Sequence, residues 1–244
     1  MYVMARNVRR TSTDVKGTAK KAGAAGAPRK RRPRNSLSQD AILDAAEELA
    51  AQGFDAVTMR SVAAELGSAP MALYNHFATK DLLVDALLDR VLSRFKAPPT
   101  SDDWVEDLRR FTLAHRRVLT DHPWAVAPLF IQPNPGFSSV RIGELGLEIL
   151  CRGGLSTTDA VAAFGGLIAL NYGWASFTTA RDFDPDGRGG EVAALLKTLP
   201  VADYPLTVSA ADDFGAYGSD AHYKFALDQV LIGLRETARP SAPT

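Results

Sequence analysis

The chain has 244 residues, with 28 Lys/Arg balanced by 28 Asp/Glu, and is 46% hydrophobic and 23% charged. That composition fits a globular protein of one large or two modest domains. Its single cysteine, Cys151, excludes an internal disulfide scaffold and fits a reducing compartment.

No uninterrupted apolar run reaches the roughly 18–20 residues of a membrane span. The stretch from Leu155 to Ala180 comes nearest, but Asp159, Asn171 and several Ser/Thr interrupt it. The start lacks the apolar core of a secretory signal, although its Arg-rich, acid-poor character is shared with organellar transit peptides. A soluble cytoplasmic protein with no membrane partner is the expectation.

The zero net charge is unevenly distributed. Residues 1–36 hold eleven Lys/Arg against the single acid Asp14, whereas the remaining 208 residues hold 17 bases against 27 acids. The segment is poor in large apolar residues and rich in Ala, Gly, Thr, Lys and Arg, so it is read as a disordered basic arm.

From Leu37 the periodicity is helical. Ala41, Ile42, Ala45, Ala46, Leu49 and Ala50 recur at i, i+3/i+4, with Ser38 as N-cap and Gly53 as the stop. Two short helices, Thr58–Leu66 and Ala69–Asn75, flank Gly67. A longer one starts at Thr79 and ends before Pro98-Pro99. Trp104–Thr120 is amphipathic, and His122-Pro123-Trp124 breaks it.

Pro128, Pro133 and Pro135 punctuate a short segment before a helix from about Ser138 to Cys151, stopped at Gly153-Gly154. Ser156 caps a long apolar helix, Thr157 to about Arg181. A Gly- and Asp-rich loop, a helix from Glu191, a loop over 200–218 with no readable pattern, and a final helix Asp220–Arg239 complete an all-α chain. No internal repeat is present.

The stretch "TMRSVAAELGSAPMALYNHF" has the requirements of a helix-turn-helix. Ala63 is small where two helices cross, and Gly67 can take a positive φ at the turn. Leu73 seals the pair, with Val62 and Leu66 completing the buried face. The second helix would then present its outer side to the major groove. By spacing alone a plain helical hairpin remains equally open; the preceding helix and the basic arm favour DNA docking.

Residues Ser38 to Leu88 resemble the DNA-binding domain of the tetracycline-repressor (TetR) family. The resemblance is carried by "AILDAAEELAAQGFDAVTMRSVAAELG" and "ALYNHFATKDLLVDAL", most specifically by Leu73-Tyr74-Asn75-His76-Phe77 and Lys80-Asp81-Leu82-Leu83. Ser68 departs from the pattern, where an apolar residue is usual. More weakly, "GLSTTDA", the helix through Tyr172-Gly173, and Phe225-Ala226-Leu227-Asp228 with Gly233-Leu234 resemble the ligand-binding domain of the tetracycline-repressor subgroup. The implied organisation is an arm over 1–36, a helix-turn-helix domain over 37–84, and a helical ligand-binding and dimerisation domain over 85–244.

The resemblance implies roles for individual residues. Thr58 caps the first motif helix and bonds a phosphate, and Arg60 reaches a guanine, or is simply a solvated charge. Pro70, Met71 and Ala72 face outward without hydrogen-bonding groups, leaving thymine methyls and groove shape as the features they could meet. Tyr74, His76 and Lys80 touch phosphates and Asn75 belongs to the same DNA face, with His76 alternatively a packed, locally capping residue. Arg31, Arg32 and Arg34, with Arg29 and Lys30, enter a minor groove, screen phosphates or remain solvated.

In the second half His115, Trp124, Phe130, Phe137, Asn171, Trp174, Phe177 and Arg181 are the candidate effector contacts, each with packing as its alternative. Asn171 is the strongest, because a buried amide needs partners.

The expected mechanism is a homodimer, joined through Thr157–Arg181 and Asp220–Arg239, that binds a palindromic operator in double-stranded DNA. An unknown small-molecule effector releases it, with Thr79–Phe95 as the lever. No cofactor is implied.

Two rivals stand beside this reading. An enzyme is disfavoured because His76, His115, His122 and His222 are scattered, no metal spacing occurs, and neither a catalytic or metal-binding site nor a phosphate-cradling glycine loop can be assigned. An architectural DNA-binding protein without a ligand would not need about 150 residues beyond the motif; a filled second half would favour it, and an apolar cavity the sensor.

Overall fold

The computed structural model describes residues 37–131, 136–181 and 188–238, so the basic arm with Arg31, Arg32 and Arg34 lies outside the described residues. Among these every regular element is helical. Helix α1 (Gln39–Gln52) starts where the Ser38 hydroxyl accepts the Ala41 N–H at 3.2 Å. It buries Ile42, Ala45, Ala46 and Ala50 along one stripe. A 3-10 turn, Phe54–Ala56, leads to α2 (Met59–Glu65), α3 (Pro70–Tyr74) and α4 (Lys80–Leu92).

The α2–α3 turn follows from its sequence. Gly67 has φ 62°, a left-handed conformation that a Cβ would strain. With the backbone so turned, the Ser68 N–H reaches the Ala63 carbonyl at 2.8 Å and the Gly67 N–H reaches Ala64 at 3.0 Å. This is a Schellman closure that satisfies carbonyls the helix end would otherwise orphan. Val62, Ala63, Leu73 and Phe77 are then driven into one core with Ile42, Ala46, Val57, Leu83 and Leu87.

The body contains α5 (Trp104–Asp121), α6 (Pro123–Ile131), α7 (Phe137–Arg152), α8 (Thr157–Arg181), α9 (Arg188–Lys197), α10 (Pro205–Ser209), α11 (Ala211–Gly215) and α12 (Asp220–Thr237). By length and composition α8 could cross a membrane, but it packs against α5, α6, α7 and α12. Close approach of α7 to α8 depends on Gly146, where a Cβ would fall 2.6 Å from the Phe164 ring. The buried Asp107 fastens the α4–α5 connection. It accepts the Ser101 backbone N–H and hydroxyl, and also binds Arg110 and Arg152. These contacts, the Ser101 N–H foremost, hold its carboxyl well below the usual range.

Three local readings are corrected. The Pro-punctuated segment after His122 is helix α6 with Pro128 inside it. Proline removes one intrahelical bond, yet burial of Ala125, Val126 and Leu129 outweighs that loss. Helix α9 begins at Arg188 rather than Glu191, and the span 200–218 contains α10 and α11.

Candidate nucleic-acid interface and effector site

The residues read as DNA contacts that fall among the described residues lie within the stretch 58–80. Thr58 forms a capping box with Ser61. The Thr58 hydroxyl accepts the Ser61 N–H at 3.0 Å, and the Ser61 hydroxyl accepts the Thr58 N–H at 2.9 Å. Because the Ser61 hydroxyl lies 2.6 Å from the Ala56 carbonyl, its proton goes there and the Thr58 hydroxyl proton turns to Ser61. Both Thr58 donors are thus engaged locally, and a phosphate bond from Thr58 requires that they rearrange.

Arg60 is exposed and makes no ion pair or hydrogen bond among the described residues. Pro70 occupies the first turn of α3, and Met71 projects with 76% of its surface exposed; Ala72 is half-buried rather than fully outward. Tyr74, Asn75 and Lys80 are exposed, whereas His76 is half-buried with its carbonyl accepting from Gln39 Nε2 at 3.4 Å.

In the body the structure joins Asn171, His115 and Phe130, three of the candidate effector residues, through partners that the sequence reading missed. The Asn171 amide nitrogen is 2.9 Å from the Thr112 carbonyl and 2.9 Å from His115 Nδ1. A carbonyl only accepts, so this atom is the NH2 group, and His115 Nδ1 must be its unprotonated acceptor. The neutral ring then carries its proton on Nε2, which has no hydrogen-bond partner among the described residues. Tyr223 donates to Asn171 Oδ1 at 2.5 Å.

Burial holds the electrical state of this cluster: it pushes His115 down to about 4, and Tyr172 and Tyr223 up to about 12. The Tyr172 ring meets His115 edge-on, with Phe130 edge-on to Tyr172 in turn. Arg116 lies over the Tyr223 ring at 4.1 Å and binds Asp220 at 2.7 Å. Thr112 and His115, spaced i, i+3 on the buried face of an amphipathic helix, were the available signal for this cluster.

Trp174 adjoins this cluster, edge-on to Tyr223 at 5.7 Å, and the remaining candidates lie elsewhere. Trp124 stacks on Phe54 at 6.4 Å, between head and body. Trp174 donates its indole N–H to the Gly218 carbonyl at 2.9 Å, and Phe177 meets Tyr217 edge-on. Phe137 is 91% exposed at the start of α7. The Arg181 side chain lies outside the described residues. A cavity of about 190 Å³ opens between the α4–α5 connection, α5 and α7, walled by Pro98, Pro99, Phe111, Leu145 and Ile149; none of the eight candidate effector residues lines it. Among the described residues no group of three His, Cys, Asp or Glu side chains could hold a metal.

Helix α4 belongs to both halves. Leu83 and Leu87 complete the core of the head, while Val84, Leu88, Val91 and Leu92 enter that of the body. Charged residues on and just past this helix also grip α1: Arg94 binds Glu47 through both carboxylate oxygens at 2.5 and 2.8 Å, and Arg90 binds Asp44. Asp89 accepts the Ser138 N–H at 2.8 Å at the start of α7.

Comparison with known proteins accords with this architecture. The profile of bacterial regulatory proteins of the tetR family matches residues 42–87, and that of the tetracyclin repressor-like C-terminal domain matches residues 97–238. An HTH-type transcriptional regulator of Saccharopolyspora erythraea is 33% identical over 232 residues, 91% of this chain and 96% of its own length. The tetracycline repressor protein class A from transposon 1721 of Escherichia coli is 30% identical over 205 residues, 81% and 90% of the two chains. The crystal structure of the Streptomyces coelicolor protein ActR in complex with actinorhodin matches with a TM-score of 0.74 at 26% identity, covering 84% of this chain and 99% of that one. The chain belongs to the tetR family of bacterial transcriptional regulators, DNA-binding proteins rather than enzymes.

Proposed function

We propose that this chain is a homodimeric, cytoplasmic repressor that binds a palindromic operator through α3 and is released by a small molecule held in its body. The observation that carries this reading is the double membership of α4. Because adjoining faces of this one helix are packed into two different cores, a rearrangement of the body moves the head with it. The head would span residues 37–84 and the body 85–244. Two copies would set their α3 helices roughly 34–36 Å apart, the separation of successive major grooves on one side of the duplex.

We put the effector site beside His115, Tyr172 and Phe130, with Asn171, whose own donors and acceptor are matched, holding the His115 tautomer. Supporting this are a polar cluster in apolar surroundings and the free His115 Nε2 proton. One relative is named for tetracycline and ActR was crystallised with actinorhodin, so compounds of these kinds are the proposed effectors.

The test is selection of bound duplexes from a random pool, followed by titration of the complex with tetracycline and with actinorhodin. A palindromic consensus and ligand-dependent release support the reading. Failure to bind any duplex at low salt refutes it.

A further inference from the structure

We infer that Met71 sets operator specificity by packing its thioether side chain against the 5-methyl group of a thymine in the major groove. The inference rests on the operator-binding reading above and deepens it by naming the feature that α3 recognises.

The core of the head is closed over Val62, Ala63, Leu73, Phe77, Leu83 and Leu87, all buried, while Tyr74 is 44% and Leu82 50% exposed. Met71, at 76%, is the most exposed large apolar side chain of the described head. At 3.6 residues per turn, the step of two residues from Met71 to Leu73 amounts to about 200° of rotation. Leu73 is fully buried, so Met71 points away from the core on a helix of only five residues.

An exposed flexible apolar chain gains by covering apolar surface. The apolar feature that a base pair shows in the major groove is the thymine methyl. The neighbours sharpen the assignment: Pro70 and Ala72 bring no hydrogen-bonding side chain, so the first turn of α3 cannot read the donors and acceptors on base edges. Hydrogen-bonding readout falls instead to polar side chains outside that turn, foremost Arg60 on α2, exposed and uncommitted among the described residues. The two helices thereby divide the labour, one reading a guanine edge and the other a methyl.

The test uses the full chain and the operator recovered by selection. Each thymine of the half-site is replaced singly by deoxyuridine, which removes the methyl and nothing else. Dissociation constants are measured by fluorescence anisotropy at one salt concentration. At one position per half-site, affinity should fall about fourfold, the contribution of one buried methyl-sized group. M71A and M71Q should bind the thymine and deoxyuridine operators equally, with unchanged thermal midpoints and unchanged affinity for unrelated DNA.

A half-site without thymine, indifference to every deoxyuridine, or a penalty that persists in M71A overturns the inference. All three leave operator binding itself intact, whereas a protein that binds no duplex removes the reading on which the inference rests.

Discussion

The phenol of Tyr223 on α12 donates to the side-chain carbonyl of Asn171 on α8 at 2.5 Å, while the amide of Asn171 holds α5 through Thr112 and His115. One side chain with no solvent exposure therefore ties three helices of the body together. A buried amide is tolerated only when its donors and acceptor are matched, and here both of its donors and its acceptor are.

Removing Asn171 strands the Thr112 carbonyl, the Tyr223 hydroxyl and His115 Nδ1 in an apolar interior. N171A is expected to lose about 3 kcal/mol of stability, and Y223F, which deletes one hydroxyl, about 1–2 kcal/mol. The double variant should lose less than the sum, since both act on one network. Urea denaturation of the three variants checks this; an N171A midpoint equal to that of the parent chain contradicts it.

His115 gives the body a pH dependence whose sign follows from its environment. Burial pushes it down to about 4, against about 6.5 for a free imidazole. The unfolded chain therefore binds the proton more readily. The stabilisation is complete above pH 6.5 and is lost as pH falls from there through 4. The loss amounts to about 3 kcal/mol between pH 7 and pH 4. H115Q keeps an acceptor for Asn171 but cannot titrate, so its stability relative to the parent chain should rise as pH falls. A difference curve that is flat between pH 4 and 7 would exclude the buried neutral ring.

The Phe54–Trp124 stack is expected to contribute to the grip between head and body. A double-mutant cycle with F54A and W124A should return a coupling of about 0.5–1.5 kcal/mol in stability. If Trp124 instead served the effector, W124A would weaken effector binding and the coupling would vanish; isothermal titration and denaturation together separate the two.

Much of the head was legible because its signals are local. Ser38, Thr58 and Thr79 cap helices within three residues of themselves, and Gly67 takes the left-handed turn that its position requires. Helix α6 was not legible, because Pro128 is a local break signal that burial of its neighbours overrides. Helices α10 and α11, five residues each, are too short to show a period. In the body, Asn171 announced itself as a polar residue in an apolar helix, but its partners come from 52 to 59 positions away. The pairing of Trp124 with Phe54 was hidden for the same reason: the two are remote in sequence, and periodicity carries no information about such a contact.

Arg60 separates specific from general DNA affinity. R60A should weaken operator binding by about 1–3 kcal/mol, the discrimination expected of a bidentate guanine contact. R60K should rescue little of this, because a lysine lacks the planar fork. Stability should change by less than about 0.5 kcal/mol, as for exposed residues without partners. Equal losses on cognate and random duplexes would instead make Arg60 a phosphate contact.

Helix α12 carries two opposed apolar stripes. Tyr223, Leu227 and Leu231, at i, i+4 and i+8, are buried in the body, whereas Phe225 and Ile232, at i and i+7, are exposed on a different side. Val161 on α8 is exposed as well. Apolar residues repeated on an outward helix face gain by meeting their own copies across a two-fold axis. F225D would bury a carboxylate in that contact and should shift the protein from dimer to monomer in multi-angle light scattering. Operator affinity should fall with it, by about 100-fold or more, since each copy then holds a single half-site and the effective concentration provided by its partner is lost. Thermal stability of the isolated chain should be little changed, because Phe225 supports none of the body core. A parent chain that is already monomeric at micromolar concentration, or an F225D variant that remains dimeric, would place the contact elsewhere.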